Sequence, residues 1–424
     1  MDQQIPVMTS RKPRQRAIGE KIPVLFVNTA TRPPLGADTW VHGQIMRSLD
    51  RSTHIVYAAC APGPIDEPTP TFQLLRTIPD LQLRPVNFGP ELYGRSRRAK
   101  VRALIDAAGA IPGFLAFARF ARRTRVAVVH TSDRPRDAVA CILLARAAGA
   151  KCIIQVHVGY GDWMSPLLRW ALKRADALIA VSAYVEQTLV EGGLDAARIH
   201  VVLNAIDPDG WTPDDGRDEV RRELRLPPDA PVVITVCRLF PEKGPGDLIA
   251  VLPELRQQYP DVRLVVVGDE FIPGYRSQLE QTARHLGVAD NVVFTGRRSD
   301  VPRLMAAADV YAMPSLGEPF GLVFLEAMAM RLPVVAVSSG GAPEIIEHGV
   351  TGLLSPPGDR AQLQRHLGEL LSDRDRRIEM GTAGRRRVEE HFTLPRMAAD
   401  TAEVYKRVTD RNRNNRIEER EGRP

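Results

Sequence analysis

Short apolar runs alternate with helix-patterned segments along nearly the whole chain, and this alternation constrains the fold more than any other feature. In the first half the runs are IPVLFVN, HIVYAAC, VAVVHT, CIIQVHV, ALIAVS and IHVVLN. In the second they are PVVITVC, VRLVVVG, NVVFTG, ADVYAMP and LPVVAVS. Successive residues in each run are apolar, so both faces of the strand need cover. Intervening helices supply it, which predicts parallel sheets wound on both sides. A chain of 424 residues exceeds what one core holds. The expectation is an α/β protein of two doubly wound parallel-sheet domains facing a central cleft. Ligands then lie at the carboxyl ends of the strands.

Residues 1–20 read as a basic N-terminal tail and 21–205 as the first domain. A stretch rich in Pro, Gly and Asp, 206–230, reads as the linker, with a short helix at 218–226. Residues 231–392 make the second domain. The tail 411–424 has almost no apolar residues, which predicts disorder. No apolar stretch approaches the roughly 20 residues that span a bilayer. The basic start lacks the apolar segment of a secretion signal, so the expected location is cytoplasmic. Cys60, Cys141, Cys152 and Cys237 lie in or beside apolar segments without metal-ligand spacing and read as reduced core thiols.

A net charge of +6 favours anionic partners. No aromatic ladder or named motif joins the basic residues, so nucleic acid is not expected. The stretch RRAKVRALIDAAGAIPGFLAFARFARRTR has apolar residues at helical spacing between basic ends. Two readings stay open. Either an apolar helix face packs on the sheet, with Pro112 and Gly113 breaking the pattern, or the stretch makes peripheral contact with the inner face of an anionic membrane.

The richest motif is EPFGLVFLE, after the run AADVYAMPS. A turn, two acids (Glu318 and Glu326) and a helix starting near Phe320 meet at a strand's carboxyl end. Free N–H groups at Phe320, Gly321 and Leu322 would suit an anion or a polar sugar. Arg238 and Lys243, in CRLFPEKGPGDLI, put two cations at one cleft edge after the strand PVVITV. Arg presents a planar fork to phosphate and Lys a point charge. Gly36 sits between the first strand and a helix, without the full glycine fingerprint of a dinucleotide site. His157 ends CIIQVH and so faces the cleft. Asp207 and Asp209 form an Asp-x-Asp, but after VVLNAI they read as turn and cap residues, and no metal site is expected.

The segment EPFGLVFLEAMAMRLPVVAVSSGGAPEII resembles the donor-site signature of the family-four retaining glycosyltransferases of GT-B fold, also called glycosyltransferase group 1. The resemblance covers most of the chain, and is strongest between Val232 and Pro357. It implies two Rossmann-like domains, with a last helix, 393–410, crossing back to the first. It implies transfer of a hexose-type sugar from a UDP- or GDP-linked donor to an acceptor hydroxyl with retention. No cofactor is expected, because the nucleotide-sugar is itself a substrate, and no metal, because no acidic or His cluster has a metal geometry. Arg238 and Lys243 would stabilise the leaving diphosphate. Glu318 would bind sugar hydroxyls, Glu326 the ribose hydroxyls, and Gly36 would approach the donor phosphates. His157 would lie near the transferred sugar. Arg297, in TGRRSDV, would lie near the base, and Asp38 and His42 on the acceptor side. The acceptor is a saccharide, a lipid-linked molecule or a small molecule, and cell-envelope polysaccharide or glycolipid synthesis is the implied setting. The alternatives are an epimerase, hydrolase or phosphorylase on the same scaffold, or a non-catalytic nucleotide-sugar-binding protein. A donor-only reaction would mark the former, and nucleotide binding without turnover the latter.

Overall fold

The computed structural model describes residues 21–31, 35–64, 66–86, 88, 111–212 and 216–421, with 411–421 described as backbone only. The basic tail 1–20, the run Gly94 to Arg102 and residues 422–424 lie outside the described residues.

Two parallel sheets form, as the apolar runs predict. The first has seven strands in the order β3-β2-β1-β4-β5-β6-β7, and the second six in the order β10-β9-β8-β11-β12-β13. The first sheet comprises β1 (Ile22–Val27), β2 (His54–Cys60), β3 (Gln82–Pro85), β4 (Val128–Ser132), β5 (Lys151–Val156), β6 (Ala177–Ala180) and β7 (Ile199–Val201). The second comprises β8 (Val232–Val236), β9 (Arg263–Val267), β10 (Val292–Gly296), β11 (Val310–Met313), β12 (Val334–Val337) and β13 (Gly352–Ser355). All eleven predicted runs are strands. β3 and β13 have no predicted run: QLRP is an exposed edge strand ending in proline, and GLLS is only four residues long. Strand order reverses between β1 and β4 and between β8 and β11. Ligands bind at such switch points in sheets of this kind.

The chain passes between the sheets twice. Ile206 pairs as a bridge with Thr393, and the Ile206 N–H donates to the Phe392 carbonyl at 3.2 Å. Between β7 and β8 lies a short helix, Arg217–Glu223. The final helix, Leu394–Glu421, returns to the first domain. Its Met397, Val404, Tyr405 and Val408 share one apolar core with Val24 and Phe26 of β1 and with Val41 and Ile45. The Tyr405 hydroxyl and His130 Nδ1 are 2.6 Å apart. This helix runs past Asp410 to Glu421, where low apolar content predicts disorder. Arg and Glu dominate the added turns, and both are good helix formers.

The helix Ile111–Arg123 buries Phe117, Ala118 and Ala121 and leaves Ile111 and Leu115 exposed. The rest of the amphipathic stretch before Ile111 lies outside the described residues. No helix among the described residues is long and apolar enough to cross a membrane.

Candidate active site

Every candidate side chain sits just beyond a strand's carboxyl end or on the helix that follows one. In the second domain, β8 ends at Val236 and delivers Cys237 and Arg238. A short 3₁₀ turn, Pro241–Lys243, then carries Lys243 toward the loop after β11. That loop is held by the Leu316 N–H donating to the Glu242 carbonyl at 2.8 Å. Gly244 has φ +73°, and a Cβ there would lie 2.5 Å from the Pro314 carbonyl oxygen. Only glycine permits that approach. The outcome is an ion pair between Lys243 and Glu318, with the Ser315 hydroxyl donating to the same Glu318 oxygen at 3.3 Å.

Arg238 lies over the Phe271 ring at 4.9 Å and near Phe240 at 6.0 Å. Phe271 is 60% exposed. Two aromatic faces hold the guanidinium by cation–π attraction and leave its fork for phosphate. Sequence reasoning did not single out Phe271, because the loop after β9 carries no motif.

The helix after the EPFG turn is Leu322–Ala329, so it starts two residues later than expected. Phe320 is buried in the turn with its ring 6.2 Å from Phe392, and Gly321 is the N-cap at φ +100°. A Cβ on Gly321 would meet the Phe324 ring at 2.4 Å. The helix mouth therefore begins at Leu322. Glu326 lies on this helix, partly buried, and burial raises its pKa to about 7. Tyr311 of β11 is buried, and its hydroxyl donates to the Val236 carbonyl of β8 at 3.3 Å. Burial above all, and then the charges of Cys237, Glu326 and Glu318, push this phenol well above its usual range.

Arg297 is exposed after β10, and its N–H donates to Asp269 at 3.1 Å. Its side chain is available on the surface beside the β9 loop. Arg298, next to it, is tied to Glu223 and Asp300.

In the first domain, Asp38 is gripped by Arg134 in a fork, at 2.6 and 2.9 Å, and accepts from Ser132 Oγ at 3.0 Å. Burial alone would raise the Asp38 pKa, but the Arg134 hydrogen bonds and charge outweigh it and hold the carboxyl well below its usual range. Gly36 caps the first helix, Ala37–Ser48, and lies under this pair. A Cβ there would stand 2.3 Å from Asp38 Oδ1 and 2.7 Å from the Arg134 guanidinium. Arg32, Pro33 and Pro34 lie outside the described residues.

His157 follows β5, and its backbone N–H donates to Asp133 Oδ2 at 3.0 Å. Burial chiefly lowers its pKa to about 4, so the ring is neutral near pH 7. His42 is fully buried on the inner face of its helix, with Nδ1 2.9 Å from Asn28 Oδ1. Its Nε2 has no hydrogen-bond partner among the described residues, and its ring lies 5.9 Å from that of His157. Asp38 reaches the cleft only as half of the pair with Arg134. Asp133, raised to about 7 by burial and then by the Asp38 charge, completes the cluster. Asp133 and Arg134 directly follow β4, so the rule that singled out His157 also applies to them.

Asp207 caps a 3₁₀ turn by accepting from the Asp209 N–H at 3.2 Å, as a turn residue should. Among the described residues no group of three or more His, Cys, Asp or Glu is arranged to hold a metal. The four cysteines are free thiols.

Two facing parallel-sheet domains with cations and acids at the strand ends define a GT-B glycosyltransferase architecture. Residues 216–387 match the model of the glycosyl transferases group 1, and 44–209 that of glycosyltransferase family 4. A GDP-mannose-dependent α-(1-6)-phosphatidylinositol monomannoside mannosyltransferase of Mycobacterium tuberculosis is 36% identical over 278 residues, 62% of this chain and 71% of the relative. The α-maltose-1-phosphate synthase of Mycolicibacterium smegmatis is 36% identical over 272 residues, 60% of this chain and 69% of the relative. In fold, the chain is similar to Anabaena HepE, crystallised with UDP, at a TM-score of 0.74 and 23% identity, covering 91% of this chain and all of that one. The chain belongs to the group 1 glycosyltransferases.

Proposed function

We propose that this enzyme transfers a hexose from a nucleotide diphosphate sugar to a hydroxyl of a phosphate-bearing acceptor, with retention and without a metal. The observation that carries the reading is the meeting of Arg238, Lys243 and Glu318 at the β8 and β11 ends, where both cations lie over the Phe240 ring and Lys243 pairs with Glu318, with Glu326 on the helix that follows. Arg238 and Lys243 would stabilise the diphosphate oxygens as the sugar–phosphate bond breaks. Glu318 would hold sugar hydroxyls, and Glu326 the ribose diol. The acceptor oxygen would then bond to the anomeric carbon on the face the diphosphate leaves. Its proton would pass to the departing phosphate oxygen. The neutral His157 would offer a hydrogen bond to the sugar rather than act as a strong base.

Support for the donor comes from the mycobacterial relative, named as GDP-mannose-dependent, so GDP-mannose is the first candidate and UDP-linked hexoses the second. Both relatives' names include a phosphate-bearing molecule, a phosphatidylinositol mannoside and maltose-1-phosphate. That favours glycolipid or phosphorylated-sugar chemistry at the inner face of a membrane. The test is a panel of GDP- and UDP-hexoses against phosphatidylinositol mannosides and sugar phosphates, with and without EDTA. NMR of the product's anomeric centre completes it. Turnover that survives EDTA and keeps the donor's anomeric configuration is expected. An inverted product would contradict the mechanism, and release of free sugar without acceptor would make the protein a hydrolase.

A further inference from the structure

The first two N–H groups of the first-domain helix Ala183–Glu191 are satisfied from the second domain. The Ala183 and Tyr184 N–H groups donate to the two oxygens of Glu344 in the second domain, at 2.8 and 2.9 Å. A carboxylate at a helix N-terminus satisfies orphan donors and complements the helix dipole. Beside it, the Ser182 hydroxyl caps the same helix by accepting from the Val185 N–H at 3.1 Å, and donates to the Pro319 carbonyl at 2.5 Å. Three hydrogen bonds thus tie one helix mouth to the second domain.

The second-domain partners of that helix are also the clamp on the loop bearing Glu318. Gly340 and Gly341, just before Glu344, lie so close to this loop that a Cβ on Gly340 would stand 2.2 Å from the Glu318 carbonyl oxygen. The Gly341 N–H donates to that carbonyl at 2.7 Å, and the Gly317 N–H donates to Ser339 Oγ at 3.0 Å. Arg387 braces the other side, donating to the Glu344 and Ile345 carbonyls at 3.0 and 2.8 Å.

We propose that Glu344 is a positioning residue. It caps the first-domain helix from across the cleft, and this latch sets the Glu318 loop in place when the domains are closed. The inference rests on the nucleotide-sugar reading for its consequence in turnover, but not for its consequence in shape. Opening the cleft would break all three interdomain bonds together and free the turn that holds the Glu318 carbonyl. Glu344 itself touches no reacting atom. Its loss should therefore slow transfer without removing the nucleotide's contacts, which belong to the second domain.

The test compares wild type, Glu344→Gln and Ser182→Ala by small-angle X-ray scattering without ligand, by titration with UDP and GDP, and by steady-state kinetics. Glu344→Gln puts an amide N–H against a backbone N–H and breaks one leg of the latch. The expected result is a larger radius of gyration than wild type. Nucleotide affinity should stay within about threefold, and kcat should fall about tenfold or more, a usual size for coupling between sites. The double variant should lose less than the product of the single losses, because both act on one closed state. Unchanged scattering and unchanged kcat in Glu344→Gln would overturn the latch. So would a fall in nucleotide affinity equal to the fall in kcat. If Glu344→Gln fails to fold, Ser182→Ala decides by the same readouts. A wild type that binds neither nucleotide overturns the functional reading, while the scattering comparison still decides the latch.

Discussion

At the scale of single residues, the account rests on what burial does to charge. Glu326 is raised to about 7, whereas free glutamate has a model value of 4.5. The folded protein therefore holds this proton more tightly than the unfolded chain. This group's contribution to stability falls as pH rises from 4.5 toward 7, and is level above that. A diol donates better to the ionised carboxylate. Nucleotide affinity should thus rise between about pH 6 and 8 in wild type more than in Glu326→Gln, a comparison that cancels the phosphates' own titration. Parallel pH profiles would remove Glu326 from the ribose. At fixed pH, Glu326→Ala should weaken free nucleotide by about 1–3 kcal/mol, measured by calorimetry. Lys243→Ala should weaken a nucleoside diphosphate more than the bare nucleoside. Equal losses would rule out its phosphate role. Most of these residues were legible from strand-end position and chemical type. Phe271 was not, because nothing in FIPG marks an aromatic that stacks on a residue over thirty positions earlier. Nor was the burial of His42, which depends on which face the helix turns inward.

At the scale of elements, apolar runs identified eleven strands, most of them buried, with β7 and β10 the half-exposed exceptions. They missed β3 and β13, whose place in the sheet comes from a neighbour's free edge rather than from their own sequence. The crossing helix shows the same division. Its existence was implied by the family resemblance and its place in the chain, but its anchor is tertiary. Tyr405 is fully buried against His130 and the β1 core. Tyr405→Ala should destabilise the protein by about 3–5 kcal/mol, the range for deleting a large buried aromatic. A urea titration measures it. A loss under about 1 kcal/mol would mean that the helix is not held by this core. The helix start was misplaced by two residues at Phe320 because Gly321 takes a left-handed conformation, which ends the turn rather than opening the helix.

At the scale of the molecule, two sheets place their carboxyl ends across one cleft, and each contributes a charged cluster. The second domain brings two cations and two acids; the first brings the Asp38–Arg134 pair and His157. One apolar cluster runs from Val181 and Val185 of the first domain to Phe320 and Phe392 of the second, so the domains share a core at the cleft floor. That sharing and the Glu344 contacts were invisible in sequence, since they join residues more than a hundred positions apart. The central claim is that this cleft binds a nucleotide through the second-domain cluster. The most direct measurement is a thermal-shift titration of wild type and Glu326→Ala with UDP, GDP, ADP and their sugar conjugates. A ligand at about a hundredfold its dissociation constant adds about 2.7 kcal/mol to stability. The account predicts a clear shift with one base in wild type and a much smaller one in the variant. No shift with any nucleotide, or equal shifts in both proteins, would contradict it.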